Sequence, residues 1–311
     1  MNNIICLAGP TASGKTALAV ELAKQLNGEV VSCDSMQIYR RMDIGTAKPT
    51  REEMQGIVHH MIDIVEPDED FSVSRYCEMA SAIVDDIVAR GKTAIIAGGT
   101  GLYMDSLIKG NDFAPFPSTG MREKLEQQAD QEGLQAMHDL LASIDPESAQ
   151  RLPVADRKRV IRALEVYFET GQTITEHNLR TQSLPPRYNP IWLGLDFAER
   201  AALYARIDLR VELMLQAGLV EEIQNLLACG IPADCTAMQA IGYKEFVGAL
   251  TGNGSIAEAA AQVQQSSRRY AKRQLTWFRR NPNMHWLVRK ETDGLEEILA
   301  NARRVLHEND N

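Results

Sequence analysis

The 311-residue chain reads as an α/β fold, a parallel sheet flanked by helices with an all-helical segment inserted into it. Three observations predict this. Short apolar runs, IICL, GEVVSC, TAIIA and IWLGLDF, recur along the chain with helical patterns between them, the alternation that builds parallel sheets. The first run meets GPTASGKT, Gly9 to Thr16, and then the helical pattern ALAVELAKQL. From Met121 to Gly171, by contrast, the pattern is helical throughout, with no strand signal. The expected core is therefore a P-loop NTPase-like sheet built from residues 1–110 and 190–311, with a helical domain at 111–189.

The glycine-rich stretch is strand, loop and helix N-terminus in succession. Gly9 and Gly14 allow backbone conformations that a Cβ resists, so the N–H groups of Gly9, Pro10, Thr11, Ala12, Ser13, Gly14, Lys15 and Thr16, proline excepted, can turn inward around a phosphate. Lys15 adds a mobile cation, and the Thr16 hydroxyl can coordinate a phosphate-bound Mg²⁺. A nucleoside triphosphate is the default occupant, but any diphosphate ester fits the same cradle.

Bulk properties are those of an ordinary globular protein, with 44% hydrophobic and 24% charged residues. No apolar run approaches the roughly 20 residues of a membrane span, and MNNIICLAGP lacks a basic region and a cleavage site. A cytoplasmic protein with no membrane partner is expected. Five cysteines without a CxxC pair suggest reduced thiols, neither a disulfide framework nor a zinc site. A net charge of −9 argues against a wholly basic nucleic-acid binder but says little about any one face.

In chain order, GEVVSC ends on Asp34 and Ser35, which at the carboxyl edge of a parallel sheet would sit beside the glycine loop. The segment MQIYRRMDIGTAKPT, with Gly, Pro and Thr punctuation, reads as a functional loop. HHMIDIV reads as a strand; His59 and His60 invite a metal, but no third ligand stands at a suitable spacing. Residues Ser72 to Arg90 have the apolar spacing of one buried helical face, with Ser72 or Ser74 as cap. TAIIA then leads to Thr100, at the same sheet edge as Asp34.

NDFAPFPSTG and TQSLPPRYNP bound the helical segment. Within it, Arg157, Lys158, Arg159 and Arg162 crowd a helix start, where cations oppose the dipole and so do not serve helix stability. Arg206 and Arg210 lie four apart on one later helix, which as a bland reading is a salt-bridged surface pair. CTAMQAIGYKEF carries a glycine in a helical pattern, a mark of close backbone or ligand approach. From Val263 to Lys290, read as one long helix, there is no acidic residue. At about 100° per residue Tyr270, Ala271, Leu275, Trp277 and Phe278 take one side and the arginines and lysines the other, a face suited to a polyanion.

Taken in order, GPTASGKT, SCDSMQIYRRMDIGTAKP, HHMIDIVEP, AGGTGLY, RVIRALEV, AIGYKE and KRQLTWFR resemble the tRNA dimethylallyltransferase family in its bacterial form, over nearly the whole chain. The resemblance implies transfer of a dimethylallyl group from dimethylallyl diphosphate to N6 of the adenosine 3′-adjacent to the anticodon of tRNA, with Mg²⁺ and release of diphosphate. The glycine loop would then hold an isoprenoid diphosphate, even though the motif alone suggests nucleotide or ATP binding. On this resemblance Asp34 is the general base, Thr100 contacts tRNA and reacting groups, and Arg210 helps neutralise diphosphate. Ser35, Met36, Gln37 and Arg122 match tRNA contacts. So do the segments Lys158, Arg159, Val160, Ile161, Arg162 and Gln239, Ala240, Ile241, Gly242, Tyr243, Lys244, the first of them gripping the anticodon stem-loop.

Two other classes compete. A P-loop kinase of a small metabolite would use Asp34 as a Mg²⁺ ligand and consume ATP, whereas a nucleotide-switched RNA-binding protein would hydrolyse its nucleotide slowly and form no new bond. A monomer is expected, because no apolar stripe is left unexplained.

Overall fold

A computed structural model describes residues 3–110, 119–182, 185–252 and 254–309. The chain divides into two compact units, one of Met1–Gly110 with Arg187–Asn311 and the other of Asn111–Pro186.

The first half of the larger unit runs β1 (Ile4–Ala8), α1 (Lys15–Gln25), β2 (Gly28–Cys33), α2 (Arg51–Met54), β3 (His59–His60), α3 (Val73–Ala89), β4 (Thr93–Gly98) and α4 (Gly101–Lys109). The smaller unit follows as α5 (Met121–Glu132), α6 (Leu134–Ile144), α7 (Pro146–Arg151), α8 (Arg157–Thr170) and α9 (Ile174–Gln182). Returning to the larger unit, the chain forms β5 (Ile191–Phe197), α10 (Arg200–Gln216), α11 (Leu219–Ala228), α12 (Lys244–Thr251), α13 (Ile256–Phe278), β6 (Met284–Arg289) and α14 (Leu295–Asn309).

The strands make one sheet in the order β3-β2-β4-β1-β5-β6, and every pairing is parallel. Both of its faces are covered, which is why its strands read as continuous apolar runs. Cys6 and Ala8 of β1 face a core with Tyr76 of α3, Met104 of α4 and Phe278 of α13. Their neighbours Ile5 and Leu7 face the opposite core, with Leu18 and Leu22 of α1 and Leu299 of α14. Because all strands point the same way, the loops after β1, β2, β4 and β5 emerge at one carboxyl edge, where ligands of open α/β sheets bind.

Local signals set the helix starts. Ser72 accepts the Arg75 N–H and starts α3. At α13, Ser255 and Glu258 form a reciprocal capping box. Asp156 caps α8 by accepting the Arg159 N–H. This carboxylate offsets part of the repulsion between the helix dipole and the basic first turn.

Four expectations need correction. HHMIDIV is a strand only at His59 and His60, because Met61 and Asp63 take positive φ of 61° and 55° and break the extended chain. The acid-free run from Val263 is not one helix, since α13 ends at Phe278 and Met284–Arg289 is the edge strand β6. CTAMQAIGYKEF is a 3-10 turn at Ala237–Gln239 and a separate helix from Lys244, divided where Gly242 takes φ 98°. Arg187 and Tyr188 belong to the larger unit: Arg187 pairs with Asp85 at 2.6 Å, while the Tyr188 N–H bonds to the Ile108 carbonyl. Of the two proline-rich breaks, NDFAPFPSTG falls largely on residues 111–118, outside the described residues, whereas TQSLPPRYNP does so only at 183–184.

Candidate active site

The glycine loop follows β1, as its sequence requires, and hands over to α1 at Gly14, whose φ of 94° is a conformation that L side chains resist. Ser13 is buried, and its Oγ has no partner. Lys15 folds back on the loop, its Nζ donating to the carbonyls of Gly9 at 3.0 Å and Pro10 at 2.7 Å. Burial pushes the Lys15 ammonium down to about 7, helped by the nearby charge of Arg210 and opposed by that of Asp34. Thr16 is exposed in the first turn of α1.

Two side chains of α10 converge on the same loop. The Arg206 Nε donates to the Ala12 carbonyl at 2.9 Å, and its guanidinium lies over the Phe197 ring. Arg210 donates to the Thr11 hydroxyl at 3.4 Å. Burial and the charge of Arg206 lower the Arg210 pKa, a cost of placing two cations together that an anion would relieve. The pair is not the carboxylate-bridged surface pair of the bland reading; it turns toward the loop.

Asp34 stands immediately after β2, its Oδ1 accepting the N–H groups of Met36 at 2.9 Å and Gln37 at 3.4 Å. This turn fixes the carboxyl group while leaving it half-exposed. Thr100 lies behind the turn: its hydroxyl accepts the Ser35 N–H at 3.1 Å and reaches the Ser35 hydroxyl at 3.4 Å. It holds the Asp34 turn, and its hydroxyl also bonds to Tyr270, which lines both cavities described below.

A cavity of about 650 Å³ runs from Thr11–Thr16 past Arg206 and Arg210 to an apolar flank of Ile44, Leu209, Leu213 and Met214. A second, of about 380 Å³, is bounded by Ser35, Met36, Gln239–Gly242, Lys244 and Arg273. Both are lined by Thr11, Asp34, Thr46, Ala47, Arg210, Met214 and Tyr270. Asp34 and Arg210 therefore stand at the junction. Gln37 turns from the second cavity toward the first, its Nε2 donating to the carbonyls of Thr46 and Ala47 at 3.3 and 3.1 Å.

Gln274 of α13 is a site residue that sequence reasoning missed. It is buried, its Oε1 accepts the Thr11 N–H at 2.9 Å, and its Nε2 donates to the Gly99 carbonyl at 3.0 Å. A lone glutamine 263 positions from its partner leaves no local signal.

The other basic candidates divide by use. Arg268 of α13 pairs with Asp208, and Arg279, just past the end of that helix, with Asp196, so these two are committed to carboxylates. Arg269, Lys272, Arg273 and Arg280 are exposed. In the smaller unit Arg157 is structural, donating to Glu126 at 2.7 Å and to Asp130 at 2.5 Å and joining α8 to α5. Arg122 and Arg162 share Glu165, at 4.0 and 2.8 Å, and with exposed Lys158 and Arg159 form a basic surface. Val160 and Ile161 are buried among Leu125, Met137 and Leu141, so neither side chain is available to a ligand. Tyr243 is likewise fully buried, whereas Gln239 and Lys244 are exposed and Ala240 and Ile241 partly so.

Among the described residues no three His, Cys, Asp or Glu side chains converge as a metal site, and no helix is long and apolar enough to cross a membrane. The cysteines are all free.

Comparison with known proteins agrees with this geometry. The IPP transferase family model matches residues 37–281. A tRNA dimethylallyltransferase of Acetivibrio thermocellus is 47% identical over 307 residues, covering 98% of each chain. One from a Thermoanaerobacter species is 48% identical over 305 residues, 97% of each. The crystal structure of the tRNA isopentenylpyrophosphate transferase of Bacillus halodurans aligns with TM-score 0.73 at 42% identity, over 100% of this chain and 98% of that one. A eukaryotic dimethylallyltransferase acting on tRNA aligns with TM-score 0.82 at 28% identity, over 100% of this chain and 79% of that one. With a glycine-rich loop at the carboxyl edge of the sheet, a carboxylate at the meeting point of two cavities and relatives matched over nearly their whole length, the chain belongs to the IPP transferase family, that of the tRNA dimethylallyltransferases.

Proposed function

We propose that this protein transfers the dimethylallyl group of dimethylallyl diphosphate to N6 of the adenosine 3′-adjacent to the anticodon of tRNA, releasing diphosphate. One observation carries the reading: the phosphate cradle and the second cavity meet at Asp34 and Arg210. A kinase or a nucleotide switch needs only the first cavity. The apolar flank of Ile44, Leu209, Leu213 and Met214 suits a five-carbon isoprenoid better than a ribose.

The chemistry follows from the two ends. The exocyclic amine of adenine is a weak nucleophile because its lone pair is conjugated with the ring. As the new C–N bond forms, the nitrogen becomes positive and its proton acidic. The Asp34 carboxylate takes that proton as the charge develops. At the other end, C1 of the allyl group loses diphosphate with partial carbocation character. Lys15, Arg206, Arg210 and the loop N–H groups stabilise the charge that builds on the leaving oxygen. Holding the amine about 3 to 3.5 Å from C1, in line with the leaving group, is the remaining contribution.

Mg²⁺ suits a hydroxyl beside a phosphate cradle, because such an ion keeps waters and substrate phosphate oxygens as ligands and takes few from protein. The Thr16 hydroxyl, exposed beside the cradle, is the residue to hold it, and the ion would supply charge neutralisation of the diphosphate.

On the RNA side, Ser35, Met36, Gln239–Gly242 and Lys244 line the second cavity, which suits an adenine taken out of its stack. The basic surface of Arg122, Lys158, Arg159 and Arg162 suits the phosphates of the anticodon stem-loop. The protein acts as a monomer in the cytoplasm. Thermal unfolding with inorganic diphosphate, dimethylallyl diphosphate, ATP or GTP tests the donor: the two diphosphates should raise Tm and the nucleotides should not. Protection by ATP or GTP alone would favour the kinase or the switch.

A further inference from the structure

The first turn of α11 bears two acidic residues, and Glu222 is the one turned to the loop between β2 and α2. Its Oε2 accepts the N–H groups of Asp43 at 2.9 Å and Ile44 at 2.8 Å, and its Oε1 accepts that of Gly45 at 3.2 Å. Three consecutive backbone donors thus converge on one carboxylate 177 to 179 positions away in sequence. A fourth bond reaches Oε1 from the Tyr243 hydroxyl at 2.6 Å. Burial pushes the Tyr243 phenol far up, and the adjacent carboxylate adds to the shift, so the hydroxyl remains a donor.

The ring of Tyr243 also lies against the loop. A Cβ at position 45 would sit 2.4 Å from Tyr243 Cε2, so only glycine permits the approach. The held segment is not incidental. Asp43, Ile44, Thr46 and Ala47 line the cavity of the phosphate cradle, while Gly45, Thr46 and Ala47 line the second. Tyr243 itself belongs to the chain 239–244 that bounds the second cavity. One carboxylate therefore grips the wall shared by both cavities and ties it to the far wall of one.

We infer that Glu222 is a positioning residue of the transfer reaction: it holds loop 43–47, which lines both the donor and the acceptor cavity, and through Tyr243 fixes that loop to segment 239–244 of the acceptor cavity. The inference rests on the proposed transfer for its effect on the two substrates, but not for the hydrogen bonding itself. Charge-assisted bonds to backbone N–H groups are strong, and their loss frees the loop.

Two measurements separate the inference from the function. Amide hydrogen exchange of the substrate-free protein should show Asp43, Ile44 and Gly45 protected, and Glu222→Ala should make those amides exchange about tenfold faster or more. Steady-state transfer with an unmodified anticodon stem-loop should show KM for both substrates raised about tenfold in Glu222→Ala, with Tyr243→Phe milder and Glu222→Ala/Tyr243→Phe no worse than Glu222→Ala. Glu222→Gln, which retains one acceptor oxygen, should recover part of the loss. Assays run well below each variant's Tm keep a mere loss of stability from changing KM. Unchanged exchange at the three amides, or both KM values within twofold of wild type, would overturn the inference. Protected amides in a wild-type protein that transfers nothing would keep the hydrogen bonding and remove the proposed function.

Discussion

Gln274 and Thr11 are joined by a hydrogen bond of 2.9 Å from the Thr11 N–H to the glutamine Oε1, and the same amide group donates to the Gly99 carbonyl at 3.0 Å. A single buried side chain on α13 thus sets the phosphate loop against the end of β4. The contact is close: a Cβ at position 99 would stand 2.1 Å from Gln274 Nε2. Gln274→Met keeps the volume but leaves the Thr11 N–H and the Gly99 carbonyl without their partner, at a cost of about 1–3 kcal/mol. The expected result is a lower midpoint in urea unfolding and a raised KM for the diphosphate donor. Gly99→Ala should do the same by displacing the amide, and unaltered KM in both variants would argue against this clamp.

Lys15 gives the donor site a pH dependence of definite sign. Its pKa stands at about 7 in the free protein, below the ordinary 10.5, because burial disfavours the ammonium. A bound diphosphate favours the ammonium, so above about pH 7 binding takes up a proton and affinity falls as pH rises, by up to about tenfold per unit. Calorimetry of inorganic diphosphate binding from about pH 7.5 to about 9 should show that fall, and Lys15→Arg should flatten it. The free protein follows the opposite slope, since the unfolded chain holds the Lys15 proton up to its ordinary pKa. Stability should therefore rise through the same window, and Lys15→Met should remove the rise.

Basic residues of the smaller unit should separate into two kinds. Arg157 bridges Glu126 and Asp130, so Arg157→Ala should lower Tm by detaching α8 from α5. Lys158 and Arg159 are exposed, and Lys158→Ala or Arg159→Ala should leave Tm unchanged while weakening stem-loop binding. Each should also reduce the slope of log affinity against log salt by roughly 0.7–0.9, the loss of one phosphate contact. Equal behaviour of all three variants would contradict this division.

Asp34→Ala should lower kcat by a factor of about 10² to 10⁴, the scale of a lost acid/base group, with little change in tRNA affinity. Filter binding and single-turnover transfer read the two effects separately. A fall in tRNA affinity as large as the fall in turnover would make Asp34 a binding residue and not a base.

What the sequence made legible is what is contiguous. GPTASGKT places phosphate donors, cation and helix start within eight residues, and Asp34 follows a strand that any period-based reading finds. Apolar periodicity likewise located α3 and, in the smaller unit, the helical character of Met121 to Gly171. The missed residues act across long separations. Gln274 is one polar residue on the face of α13 that packs inward, and Glu222 reads as an ordinary acidic residue complementing a helix dipole. Arg206 and Arg210 were visible as an i, i+4 pair, but their target, the loop after β1, is nearly two hundred positions away. The basic stripe of α13 was legible as composition, yet two of its members answer Asp208 and Asp196, carboxylates that only the folded chain brings near. HHMIDIV misled because apolar content suggested a strand, whereas the backbone turns to positive φ at Met61 and Asp63.

The measurement that bears most directly on the whole account is incubation of the purified protein with unmodified tRNA, Mg²⁺ and labelled dimethylallyl diphosphate, then nuclease digestion and mass analysis of the nucleosides. The account predicts N6-dimethylallyladenosine, formed by the wild-type protein and lost in Asp34→Ala. Folded protein that binds tRNA and yields no modified adenosine would contradict it.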